Sequence, residues 1–163
     1  MNRLVILCIE DEPEVRQAIA RDLEAFEPLF LVEVAEDVDD ARSVFADVLA
    51  RGDEVALILA DHLLPGTQGT DYLIQLHHDP SAHAIRKVLL TGQAGHEDTI
   101  RAINEAGLDH YIAKPWTREE LHEVVCDQLT DYVLDTVDDV LPYVAALDGP
   151  RLLRRVAETG SDE

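Results

Sequence analysis

Short, densely apolar runs alternate along this chain with stretches in which apolar residues recur every three or four positions. Residues 4–9, "LVILCI", form an unbroken apolar run of the kind a strand buried on both faces carries. Pro13 then opens a helical stretch with Val15, Ile19, Leu23 and Phe26 on one face. "FLVEVA" (30–35) reads as a second strand, and a helix over 38–50 follows with Ala41, Val44, Phe45, Val48 and Leu49 facing inward. "VALILA" (55–60) is the third strand and "DYLIQLHH" belongs to the next helix. "KVLLT" (87–91) is the fourth, followed by a helix over 96–106 with Gly107 at its C-cap. "HYIA" (110–113) is a short fifth strand, and Thr117 with Glu120 three residues on predicts a capping box at the next helix. Five strand–helix repeats with short connections predict an α/β fold, a doubly wound five-stranded parallel sheet covered on both faces.

In such a sheet, ligands gather at the carboxyl ends of the strands. The first strand ends in Glu10, Asp11 and Glu12, the third in Asp61, the fourth in Thr91 and the fifth in Lys114. If the first and third strands are neighbours, three carboxylates converge. Two unit charges about 4 Å apart repel by roughly 1 to 4 kcal/mol, and nothing structural calls for that cost. A hard divalent cation cancels it, and oxygen-only ligands suit Mg²⁺. Asp61 is then a carboxylate beside a cation, faced by a hydroxyl and an ammonium. That set suits a carboxylate nucleophile attacking phosphorus, with Thr91 and Lys114 holding the phosphoryl oxygens.

The segments "CIEDEP", "ADHLLPGTQG", "LLTGQA" and "YIAKPW", in this order and each at a strand end, resemble those of a response-regulator receiver domain. Such domains are the phosphoaccepting half of two-component signalling pairs, with a flavodoxin-like fold. The resemblance covers residues 3 to about 127. It implies that Asp61 is phosphorylated and that Asp11 binds Mg²⁺ directly. It further implies that Glu10 acts through water, and that the Leu63 carbonyl completes the protein ligands. Thr91 would bind the phosphoryl oxygens with Lys114 and act as a switch with Tyr111. The implied donor is a histidine kinase or phosphotransfer protein, and the Lys114–Pro115 bond is expected to be cis. Three residues depart from the commoner pattern: Glu10 in the acidic pair, Gly92 after Thr91, and the apolar Leu63 two residues beyond Asp61. Leu63 cannot position a hydrolytic water through its side chain, so a long-lived phosphoryl group is expected.

Composition narrows the partners. The 163 residues carry 34 acidic and 13 basic side chains, a formal net charge of −21. Such a chain repels phosphate backbones and anionic lipid, which argues against nucleic-acid and membrane binding. No apolar run approaches the ~18 residues of a membrane span, and the N-terminus lacks a signal-peptide pattern. The chain is therefore expected to be cytoplasmic. Cys8 and Cys126 sit in apolar surroundings without metal-ligand spacing and read as reduced thiols. Of the seven histidines, His77 and His78 are adjacent, so on a helix they do not face one site, and His62, His83, His96, His110 and His122 are dispersed; they read as no metal site, with His62 structural.

Taking 1–127 as the receiver leaves 128–163 as a helical C-terminal extension, the last receiver helix running on past the core. Leu129, Val133, Val137, Val140, Val144 and Leu147 step along it at coiled-coil-like spacing. Pro142 predicts a kink, "LDGPR" (147–151) a turn, and the remainder a short helix. The stripe either folds back on its own receiver or pairs with a second copy as a dimerisation arm; the spacing favours a homodimer.

Rival functions fit less well. A phosphorylation-independent adaptor on the same fold has no need of Asp61, Lys114 and the acidic cluster together. Aspartyl-phosphate phosphatases and mutases usually place a second aspartate where Leu63 stands. A flavin carrier wants a phosphate cradle where this chain has "EDEP".

Overall fold

A computed structural model describes residues 2–92 and 97–160. Its five strands are β1 (Leu4–Ile9), β2 (Phe30–Ala35), β3 (Glu54–Asp61), β4 (Arg86–Thr91) and β5 (His110–Ala113). The helices are α1 (Pro13–Asp22), α2 (Val38–Ala50), α3 (Gly69–His77), α4 (Glu97–Glu105), α5 (Arg118–Thr136) and α6 (Gly149–Gly160). The strands pair in parallel in the order β2-β1-β3-β4-β5. The fold is the doubly wound α/β sheet expected of the pattern.

The unbroken apolar runs follow from burial on two sides. Alternate residues Leu4, Ile6 and Cys8 of β1 enter one core, shared with α1 and α5. Val5, Leu7 and Ile9 enter the other, shared with α2, α3 and α4. Leu49 is a correction: expected to face inward, it is 54% exposed, one residue past the buried Val48. The helix expected over 96–106 spans Glu97–Glu105, His96 lying outside the described residues. The first helix ends at Asp22, and Leu23 and Phe26 reach the core from a following 3₁₀ turn. Thr117 caps α5 by accepting from the Glu120 backbone N–H at 3.1 Å. Two X-Pro bonds are cis, Glu27–Pro28 and the expected Lys114–Pro115.

The extension differs most from expectation. Helix α5 passes position 127 without a break but stops at Thr136, followed by extended backbone at Val137. Thr136 turns its hydroxyl back onto the Tyr132 carbonyl at 2.7 Å, a bond that competes with continuing the helix. The chain then reverses, and Leu129, Val133, Val140 and Leu147 of the proposed dimer stripe are buried in the chain's own core. Tyr143 meets Phe30 with ring centroids 5.7 Å apart, and Tyr132 donates to Glu54 at 3.3 Å. Phe30 and Glu54 begin β2 and β3, so the extension covers the sheet's amino end, opposite Asp61. The stripe is thus core, not a free coiled-coil seam.

The expected turn over 147–151 belongs partly to α6. Asp148 accepts from the Arg151 N–H at 3.3 Å while Pro150 sits in the first turn, an N-terminal signature. Leu152 is fully buried, Arg151 pairs with Asp131, and Arg155 donates to the Leu134 carbonyl at 2.9 Å.

Candidate phosphoacceptor site

The order β2-β1-β3 makes β1 and β3 neighbours, with Ile9 opposite Ala60. The residues that follow, Glu10 and Asp61, therefore emerge side by side. Carboxylate oxygens of Glu10, Asp11 and Asp61 lie within 4.8 Å of one another. Glu10 is fully buried and Asp61 is 4% exposed, whereas Asp11 reaches solvent.

Strand β5 brings the counter-charge. Lys114 Nζ donates to Asp61 Oδ2 at 2.6 Å and stands 3.8 Å from Glu10 Oε2. Burial tends to lower the Lys114 pKa, but the Asp61 and Glu10 carboxylates outweigh it and hold the ammonium above its ordinary range. One ammonium among three carboxylates does not balance the site. Glu10 Oε1 accepts from the Glu12 N–H at 3.1 Å, while buried Oε2 has no hydrogen-bond partner. Burial, with the neighbouring Asp61 carboxylate, pushes the Glu10 pKa up to about 8. An orphaned buried oxygen in an oxygen-only cluster with surplus negative charge fits Mg²⁺.

Thr91 ends β4 fully buried, and its carbonyl accepts from the Lys114 N–H at 2.8 Å. Tyr111 faces outward, 38% exposed, stacked on His110 with centroids 6.1 Å apart. Leu63 is 57% exposed, and its backbone N–H donates to Asp61 Oδ1 at 3.2 Å. The structure thus gathers Glu10, Asp11, Asp61 and Lys114 around one point, with Thr91 tied to Lys114 through backbone, while Tyr111 faces outward against His110.

Several supports of this loop escaped the sequence reading. A Cβ at Gly69 would lie 1.9 Å from the Asp61 carbonyl oxygen, so only glycine lets α3 start against the end of β3. The Gly69 N–H donates to the His62 carbonyl at 3.1 Å. The His62 ring hydrogen-bonds Thr70 Oγ1 at 2.7 Å inside the core, the structural role expected of it. Gln68 accepts from the Leu64 N–H at 3.3 Å. The repeated glycines of "PGTQG" carried the signal, but not which one touched backbone. His83, expected to stand apart, lies with its ring 5.9 Å from that of His77, whose sequence neighbour His78 is 5.6 Å away. Among the described residues, however, the group of three potential ligands that converges is the acidic one.

The comparisons with known proteins match this geometry. The family model for the response regulator receiver domain matches residues 6–126. The hydrogenase transcriptional regulatory protein HoxA of Cupriavidus necator is 30% identical over 124 residues, covering 76% of this chain and 24% of that protein. The phosphate regulon transcriptional regulatory protein PhoB of Escherichia coli is 34% identical over 118 residues, covering 71% of this chain and 47% of that protein. The chain thus spans less than half the length of these relatives. A CheY-like receiver domain protein from Methanospirillum hungatei superposes with a TM-score of 0.66 at 27% identity, covering 82% of this chain and 99% of that one. Among the described residues, no helix is long and apolar enough to cross a membrane. With an acidic cluster at the ends of β1 and β3, a lysine from β5 upon it, and the family model over most of its length, this chain belongs to the response regulator receiver domain family.

Proposed function

We propose that Asp61 accepts a phosphoryl group from the phosphohistidine of a sensor kinase or phosphotransfer protein, and that the chain then signals through protein contacts in the cytoplasm. The observation that carries this reading is the 2.6 Å contact of Lys114 with Asp61 beside two further carboxylates. An Asp61 oxygen forms the new O–P bond as the P–N bond to the donor imidazole breaks, and the imidazole leaves with the electron pair. Glu10, Asp11, Asp61 and the Leu63 carbonyl would hold Mg²⁺, which when bound supplies positive charge to the phosphoryl oxygens. Lys114 orients Asp61 before transfer and meets a phosphoryl oxygen after it. Thr91 turns its hydroxyl to that group, and Tyr111 moves inward from its exposed position. An open hollow of about 310 Å³ beside Lys114, lined by Val15, Pro115 and Trp116, gives the donor an apolar foothold.

The test is intact mass after incubation with acetyl phosphate and Mg²⁺, comparing the native chain with Asp61→Asn. The expected result is a single phosphoryl adduct that is lost without Mg²⁺ and absent from the variant. No adduct in the native chain under any condition overturns the reading and favours an adaptor that kept the fold.

A further inference from the structure

Helix α1 brings one more side chain to the acidic site. Arg16 stands near its start, half-buried, and its Nη1 donates to the Glu10 backbone carbonyl at 3.0 Å. The chain carries 34 acidic side chains against 13 basic ones, yet among the described residues Arg16 forms no ion pair. A guanidinium in so acidic a chain has carboxylates in plenty, so its place on a carbonyl calls for a reason.

The reason lies in what that carbonyl controls. The Glu10 N–H donates to the Ala35 carbonyl at 3.0 Å, and Glu10 Oε1 accepts from the Glu12 N–H at 3.1 Å. With the carbonyl held by Arg16, Oε2 is the hydrogen-bonding atom of Glu10 that remains without a partner, on the side of Lys114 and Asp61. The same carbonyl belongs to the planar peptide unit that leads into Asp11. Fixing its direction fixes the plane from which the Asp11 side chain leaves the backbone. Asp11 has no side-chain anchor of its own: it is exposed, and among the described residues its carboxylate accepts no hydrogen bond.

We propose that Arg16 is a positioning residue for Mg²⁺, a role that rests on reading Glu10, Asp11 and Asp61 as the site of that ion. By holding the Glu10–Asp11 peptide, Arg16 aims the Asp11 carboxylate and Glu10 Oε2 toward Asp61 and so sets the affinity for the cation. Its charge alone has the opposite effect, since a guanidinium repels a divalent cation. Position and charge therefore predict changes of opposite sign when the side chain is replaced.

The test is the Mg²⁺ dissociation constant of the full chain, measured by isothermal titration calorimetry on the native protein, Arg16→Met and Arg16→Lys. Methionine keeps an apolar stem and good helix propensity but has no donor, whereas lysine keeps the charge and an N–H. Partners that orient metal ligands typically contribute about 10- to 100-fold in affinity, so Arg16→Met should raise the dissociation constant at least tenfold. Arg16→Lys should recover most of that loss. Circular dichroism checks folding, and Arg16→Gln, a shorter side chain, takes the place of a methionine variant that does not fold. A second readout is the Mg²⁺ concentration that gives half the maximal rate of adduct formation from acetyl phosphate. It should rise with the dissociation constant, while the rate at saturating Mg²⁺ stays near native because Asp61 and Lys114 are untouched. An unchanged or smaller dissociation constant in Arg16→Met overturns the proposal. Equal losses in the methionine and lysine variants point to packing rather than the hydrogen bond and overturn it too. A native chain that binds no Mg²⁺ removes the metal site itself, and the proposal with it, so the two failures are told apart.

Discussion

Lys114 Nζ donates to Asp61 Oδ2 across 2.6 Å, joining the ends of β5 and β3 over the intervening β4. The lysine is 31% exposed while Asp61 is almost fully buried, so water screens the pair only in part. Its removal leaves Glu10 and Asp61 without their nearest cation. Lys114→Ala should lower stability without Mg²⁺ by about 2 kcal/mol, the range of a partly screened charged hydrogen bond. Added Mg²⁺ should recover more of the variant's stability than it adds to the native chain, because it restores the missing positive charge. Thermal melts of both chains with and without Mg²⁺ check this; an equal Mg²⁺ increment in the two chains contradicts it.

Glu10 gives the site a pH dependence. Its pKa is raised from an ordinary 4.5 to about 8 by burial and by Asp61. The folded chain therefore holds the proton that the unfolded chain releases. Stability from this group is complete below about pH 4.5 and falls as pH rises through about 8. Without Mg²⁺, the difference in unfolding free energy between Glu10→Gln and native should grow in favour of the variant from pH 5 to 8, since the amide never ionises. Urea titrations across that range measure it, and a difference independent of pH would count against the assignment.

Gly69 tests how the loop after Asp61 is anchored. Gly69→Ala places a Cβ 1.9 Å from the Asp61 carbonyl oxygen, a backbone atom of a central strand. Either α3 or the end of β3 must shift. A destabilisation of about 1 to 3 kcal/mol is expected, together with at least tenfold slower adduct formation from acetyl phosphate, because the Asp61 carboxylate moves relative to Lys114. Gly66→Ala tests turn geometry instead: a Cβ there meets nothing, but φ is +78°. It should destabilise with less effect on the rate.

Legibility in the sequence followed the range of the interaction. The strands were visible because burial on two faces writes an unbroken apolar run, as in Leu4–Ile9. Glu10, Asp61, Thr91 and Lys114 were visible because parallel topology sends every strand end to one edge. Gly69 was not, because its partner is a carbonyl that leaves no side-chain trace. The extension was misread for a related reason. Leu129, Val133, Val140 and Leu147 have the spacing of a coiled-coil seam, but spacing does not say what a stripe packs against. Here it packs on the amino end of the chain's own sheet, with Phe30 meeting Tyr143.

That packing makes α6 part of the fold. Leu152 is fully buried in a cluster that includes the receiver residues Leu4, Phe30 and Leu121. Leu152→Ala should cost about 2 to 5 kcal/mol, as large-to-small core substitutions do. Leu153→Ala, one position on and half exposed, should change stability by less than about 0.5 kcal/mol. Guanidinium unfolding of the two variants separates a docked helix from a dangling arm. Equal, small effects would mean that the extension contributes little to the core.

Leu63 sets the lifetime of the phosphorylated state under the proposed reading. It lies two residues beyond Asp61, 57% exposed, with its N–H on Asp61 Oδ1 at 3.2 Å. Its side chain points no hydrogen-bonding group at a water approaching phosphorus, so nothing there orders the nucleophile of hydrolysis. Leu63→Asn adds a donor and an acceptor without moving the backbone, and should speed loss of the phosphoryl group about tenfold or more. Because position 63 is exposed, stability should change little, so a rate effect would not reflect a damaged fold. The measurement is the decay of the phosphorylated mass after the small donor is removed, at fixed Mg²⁺. An unchanged decay rate would place the control of lifetime elsewhere in the site, with Lys114 and Thr91 the next positions to vary.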